Sequence, residues 1–136
     1  MERYMKVALI TGGTGGIGRS LVKAFCEAGY AVAFTYKSNT TVAEELHTAY
    51  GALPILADVR VESEVESAVK QTLSAYGRID CLVNNAGIAS ISMLADVTLA
   101  DWENMMATNL TSAFLFSKAA MPDMISRKEG RIINIT

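Results

Sequence analysis

The sequence predicts an α/β fold: a doubly wound (Rossmann) parallel sheet, strand order 3-2-1-4-5, cut off after strand five. Short apolar runs alternate with amphipathic stretches through five strands of a 136-residue chain. The runs lack the polar–apolar alternation of a half-exposed sheet, so both faces are expected to be covered. A glycine cluster, Gly12, Gly13, Gly15, Gly16 and Gly18, separates the first run from the first amphipathic stretch. In open α/β sheets that is where a strand end turns toward a ligand.

The first strand is Val7–Ile10, stopping at Thr11. Beyond the glycines, Ile17, Leu21, Ala24, Phe25 and Ala28 recur at helical spacing. Glycines in such a turn permit positive φ and close backbone approach. The helix behind them opens with unpaired N–H groups and about half a positive charge. Together these make an anion site of the kind that takes phosphate. Gly29 ends the helix, and Ala31–Phe34 is the second strand. A helix follows with Val42, Leu46, Ala49 and Tyr50 on one face, closed by Gly51. Leu53–Ala57 is the third strand, ending at Asp58-Val59. Val65, Ala68, Val69, Thr72, Leu73 and Tyr76 then mark a helix that Gly77 stops.

Ile79–Val83 is the fourth strand and runs into Asn84-Asn85-Ala86-Gly87. A loop through Ser90 and Ser92 leads to a long helix beginning near Asp101. Its apolar residues, from Trp102 to Met121, cover more than one face, so a second buried side is expected, in the core or between subunits. Pro122 is expected to kink or end it. Arg131–Ile135 is the fifth strand. Right-handed crossovers put the switch point between strands one and four, flanked by the glycine turn and the Asn-Asn-Ala-Gly loop.

Composition narrows the class. Hydrophobic residues make up 51% and charged residues 19%, which excludes a disordered chain or a coiled coil. The net charge is −2 with no basic run, against a nucleic-acid surface. Cys26 and Cys81 read as small buried thiols, and a reducing, cytoplasmic setting is expected. His47 sits in a polar helical stretch, and no Cys/His cluster suggests a metal. No apolar run approaches a membrane span, and Val7–Ile10 is too short for a signal-peptide core. One domain over 1–136 is expected, with Met5 as the natural start and Met1–Tyr4 a loose extension.

The glycine turn alone is ambiguous. Gly13, Gly15 and Gly18 fit G-x-G-x-x-G, while Thr11, Gly12, Gly16 and Gly18 fit T-G-x-x-x-G-x-G. Gly13 to Ser20 nearly fits the nucleoside-triphosphate loop G-x-x-x-x-G-K-[ST], but Arg19 stands where the lysine should reach the terminal phosphates.

The motifs in combination resemble the short-chain dehydrogenase/reductase family, closest to its bacterial 3-oxoacyl-(acyl-carrier-protein) reductase branch. The residues are Thr11 to Gly18, Asp58-Val59, Asn84-Asn85-Ala86-Gly87, Asn109, and Gly130 to Ile135. The resemblance implies a nicotinamide dinucleotide whose pyrophosphate is lined by Gly12, Thr14, Gly15, Gly16, Ile17 and Gly18. It implies Asp58 bonded to the adenine amino group, with Val59 beside the ring, and Asn84, Ala86 and Gly87 along the riboses. An ionised carboxyl only accepts, which suits an exocyclic amine that donates. An acid at the end of strand two would accept from the 2′-hydroxyl of NAD. Here Tyr36 stands at that end, followed by Lys37 and Ser38. A lysine on a phosphate forms a charge-assisted hydrogen bond of about 1.5–3 kcal/mol, so a preference for NADP(H) over NAD(H) is expected.

The family's chemistry is hydride transfer to a carbonyl of a small-molecule or carrier-protein-bound substrate. A serine, a tyrosine and a lysine four residues after it act there, with an asparagine of the long helix in the proton relay. Of these four positions only Asn109 has a match. Tyr4, Tyr30, Tyr36, Tyr50 and Tyr76 are followed four residues on by Ala8, Phe34, Thr40, Pro54 and Asp80. A phenol with pKa near 10 needs a nearby cation to work at neutral pH. The chain is therefore expected to be the cofactor-binding front part of a reductase, inactive alone, whose complete form is a homo-oligomer. Another alcohol or ketone as substrate, or a non-catalytic dinucleotide-binding module, are the alternatives.

Overall fold

Strands β1 (Val7–Ile10), β2 (Ala31–Tyr36), β3 (Leu53–Leu56), β4 (Cys81–Asn84) and β5 (Arg131–Asn134) form one parallel sheet in the order β3-β2-β1-β4-β5. The computed structural model describes residues 5–136, so the expectation for Met1–Tyr4 lies outside the described residues. Every residue of β1 and of β4 is buried, which is why these runs are apolar without alternation. Successive β1 side chains serve opposite cores. Ala8 and Ile10 pack with Val22, Phe34, Ala43 and Leu46 beneath α1 (Gly16–Glu27) and α2 (Thr40–Tyr50). Leu9 packs with Val65, Val69, Phe116 and Ala120 beneath α3 (Glu62–Tyr76) and the helix that precedes β5. Gly51 and Gly77 end α2 and α3 in the left-handed region, at φ 71° and 79°.

At the strands' N-terminal ends, Asp80 accepts from the backbone N–H of Val7 at 2.8 Å and pairs with Arg78 and Arg127. Burial alone would raise its carboxyl. The Arg78 hydrogen bond, the Val7 amide and the two guanidiniums outweigh it and hold the group below the ordinary carboxylate range.

The long helix departs from its sequence reading. It begins two residues early, because Thr98 and Asp101 form a reciprocal capping box. It runs as α4 (Leu99–Met106), a π-helical turn (Ala107–Thr111), and α5 (Ser112–Arg127). Pro122 does not end it. Leu115, Phe116, Ala120 and Met124 stay buried on the sheet side. Immediately after the proline, Asp123 accepts from Ile79 N–H and pairs with Arg127 one turn on. That packing outweighs the one backbone donor the proline removes. Trp102, Leu110, Phe114, Met121 and Ile125 lie exposed, so the described residues of this chain do not cover a second side of the helix. No helix among the described residues is long and apolar enough to cross a membrane.

Candidate functional site

At the opposite, C-terminal edge, the end of β1 is stitched to its neighbours. Thr11 donates its N–H to Val83 carbonyl at 3.0 Å, while its buried hydroxyl accepts from Asn85 N–H at 3.0 Å and Ala86 N–H at 2.9 Å. The Asn85 amide returns the contact, donating to the carbonyls of Thr11 and Gly12. On the β2 side, Gly12 N–H reaches Thr35 Oγ1 at 3.1 Å and Gly13 N–H reaches Thr35 carbonyl at 2.9 Å.

Three glycines are required by this geometry. Gly12 has φ +66°, and a Cβ there would lie 2.9 Å from Ala86 Cα. A Cβ on Gly18 would be driven into the Gly12 carbonyl oxygen. Gly13 packs on Phe34, where a Cβ would meet the ring. A Cβ on Gly16 would meet nothing within 4 Å. α1 starts from Gly15 with no side-chain cap and no acid in its first turn, so its leading amides face outward with their partial positive charge.

They face a cavity of about 540 Å³. The structure brings twelve of the expected site residues to its wall: Gly12, Thr14, Gly15, Gly16, Ile17, Gly18, Tyr36, Lys37, Asp58, Val59, Ala86 and Gly87. Ile17, expected on the helix's core face, is exposed into this space.

Asn84, expected along the riboses, directs its side-chain amide elsewhere. It is buried at the end of β4, where its amide donates to Asn134 Oδ1 at 3.0 Å and Ser117 Oγ at 3.3 Å. The side chain thus turns toward β5 and α5, and the residue is not part of the cavity wall. Asn109 is also outside the wall. Its Oδ1 accepts from Ile88 N–H and its Nδ2 donates to Ile88 carbonyl. Both ends of the amide help tie the π-turn to the loop after β4, and one lone pair and one N–H of the side chain remain for other partners.

Sequence reasoning missed Arg60 and Asn104. Arg60 grips Asp58 with Nε on Oδ1 at 2.9 Å and Nη2 on Oδ2 at 2.6 Å, and its backbone N–H adds 3.0 Å to Oδ1. Its remaining Nη1 donates to Asn104 Oδ1 on α4. Lys37 Nζ stands 3.8 Å from the same Asp58 Oδ2. The Arg60 hydrogen bond first of all, then the Arg60 and Lys37 charges, hold the Asp58 carboxyl at about 2 against the opposing effect of burial. A basic residue two positions after an acid in a loop is a local signal that points to Arg60. Asn104, on a distant helix, leaves none. Among the described residues no group of His, Cys, Asp and Glu could hold a metal ion.

Comparison with known proteins agrees with this geometry. A family model described as short chain dehydrogenase matches residues 6–136. The chain is 40% identical over 136 residues to a 3-oxoacyl-[acyl-carrier-protein] reductase of Synechocystis, covering 96% of this chain and 55% of that one. It is 39% identical to a (2S)-[(R)-hydroxy(phenyl)methyl]succinyl-CoA dehydrogenase subunit of Thauera aromatica, covering 96% and 54%. Among solved structures, a short-chain dehydrogenase from Streptomyces avermitilis superposes with TM-score 0.93 at 29% identity, over 99% of this chain and 50% of that one. The chain spans about half the length of the curated relatives it matches.

Proposed function

The chain belongs to the short-chain dehydrogenase family, and from that premise we propose that residues 1–136 are the NADP(H)-binding Rossmann domain of a carbonyl reductase. The substrate class we propose is a 3-oxoacyl thioester on a carrier protein, as in fatty acid synthesis. The observation that carries the cofactor part is the uncapped start of α1 opening into the cavity. Its volume falls within the range of cofactor sites.

The donor set fits a dinucleotide. Amides at the start of α1 would hold the pyrophosphate between Thr14 and Gly18. Lys37, beside Tyr36, would hold a 2′-phosphate. Asp58 would accept from the adenine amine, with Val59 against the ring. Ala86 and Gly87 would flank the ribose on the nicotinamide side. When bound, the cofactor supplies the hydride. Asn109 acts on this site through Ile88, by fixing the loop that carries Gly87. No tyrosine of the chain has a lysine four residues on, so this polypeptide lacks the expected proton-donating pair, and no turnover is expected from it alone.

Titrating the purified chain with NADPH and NADH, followed by nicotinamide fluorescence, tests the reading. NADPH is expected to bind roughly tenfold tighter. Failure to bind either overturns the dinucleotide site, and tighter NADH binding overturns the choice of cofactor. Magnesium–ATP is expected not to bind.

A second reading, another alcohol or ketone as substrate, draws on the Thauera relative, whose identity to this chain is nearly the same as that of the Synechocystis reductase. We place the protein in the cytoplasm, with Cys26 and Cys81 as free thiols. The exposed apolar face of α4 and α5 suits a homo-oligomer of the complete protein.

A further inference from the structure

We propose that Arg60 is a specificity-determining residue for the phosphorylated dinucleotide, acting through Asp58: by occupying the Asp58 carboxylate, it frees Lys37 to bind the 2′-phosphate. The inference rests on the cavity being a dinucleotide site and adds a residue that the family motifs do not include.

Three charges meet at this corner. Lys37 and Arg60 converge on one oxygen, Asp58 Oδ2, at 3.8 Å and 2.6 Å. They are not equivalent partners. The guanidinium lies along both carboxylate oxygens as a planar fork, and its third arm is fastened to Asn104. Lys37 makes one long contact from a side chain that is 64% exposed, against 34% for Arg60. An incoming anion therefore draws Lys37 away and leaves Arg60 in place.

Without Arg60, the corner holds one cation and one anion. Lys37 would then be the principal partner of Asp58, and a phosphate approaching it would meet an unneutralised carboxylate a few ångströms away. With Arg60 the corner carries a net positive charge. Asp58 stays ionised throughout the physiological range, so the anion cannot be removed by protonation and has to be balanced by a cation. NADH has no 2′-phosphate and does not use Lys37, so its affinity is insensitive to this arrangement.

Dissociation constants for NADPH and NADH, measured on the purified chain and its variants, test the proposal. Arg60→Gln is expected to weaken NADPH about three- to fivefold, in keeping with a partly exposed charge pair, and to move NADH less than about twofold. Arg60→Lys is expected to retain most of the preference. In the double variant Asp58→Asn with Arg60→Gln, the NADPH-to-NADH affinity ratio is expected to return to the parent value, because the anion is gone. A ratio that R60Q leaves unchanged, or that the double variant fails to restore, overturns the proposal. Should R60Q fail to fold by circular dichroism, Asp58→Asn alone decides. It removes the carboxylate that competes with the 2′-phosphate for Lys37, so the ratio is expected to hold or rise, and a fall overturns the proposal. If the parent prefers NADPH while the R60Q ratio is unmoved, only Arg60's role is lost. If the parent binds neither nucleotide, the reading of the cavity is lost with it.

Discussion

Asn109 holds Ile88 by both edges of its amide, accepting from its N–H at 2.7 Å and donating to its carbonyl at 2.8 Å. The pair ties a π-helical turn to the loop that follows β4. Asn109→Ala is expected to destabilise the chain by roughly 1–2 kcal/mol, two partly exposed hydrogen bonds' worth. Hydrogen exchange at residues 87–91 should quicken more than exchange in β1. Uniform quickening would show that the contact does not hold the loop locally.

The Thr11 hydroxyl accepts from two backbone amides of the loop after β4. Thr11→Val keeps the shape and leaves both donors unpaired, for an expected loss of about 2–3 kcal/mol in chemical denaturation. Thr11→Ser keeps the acceptor and should cost less than half as much. Equal losses for the two would put the effect in packing.

Gly16 and Gly18 separate two uses of glycine. Gly18→Ala drives a methyl into the Gly12 carbonyl and is expected to destabilise by more than about 1 kcal/mol. Gly16→Ala meets no protein atom and, early in a helix, should leave stability unchanged or raise it by up to about 1 kcal/mol. On the reading of a phosphate cradle, the same methyl should weaken NADPH binding. Undiminished affinity in Gly16→Ala would mean that the ligand does not approach this backbone.

Asp80 predicts an acid-dependent loss of stability. Its folded carboxyl is held below the ordinary value, so its contribution is fully present above about pH 4, the unfolded value. It is lost as pH falls through the lower folded value. Asp80→Ala leaves Arg78 without that partner and the Val7 amide unbonded, for an expected cost of about 3 kcal/mol at pH 7. The gap between variant and parent should narrow below pH 4 in urea melts. A gap that does not change with pH would assign the loss to packing.

Phe114, Met121 and Ile125 are exposed apolar residues on α5, and β5 is an edge strand of the sheet. The purified chain is expected to self-associate. Phe114→Lys with Ile125→Lys should shift its light-scattering mass toward monomer. A monomeric parent would remove the basis for this expectation.

Much of the fold was legible because its signals are local. Strand order followed from five apolar runs and right-handed crossovers. The start of α1 followed from glycines within one turn of each other, and the ends of α2 and α3 from single glycines in the left-handed region. Such features depend on neighbours within four residues, which a linear reading supplies. Tertiary packing decided the fate of the polar side chains. Asn84 turned from the cavity because Asn134 stands beside it on β5, 50 residues away in sequence. Asn109 was taken up by Ile88, 21 residues away, and Arg60 found Asn104 at 44. Pro122 stayed within a helix because the core beneath it outweighed one missing donor. Backbone geometry and apolar period are properties of a segment. The partner of a hydrogen-bonding side chain is a property of what the fold brings alongside it, and the sheet must exist before that choice is made.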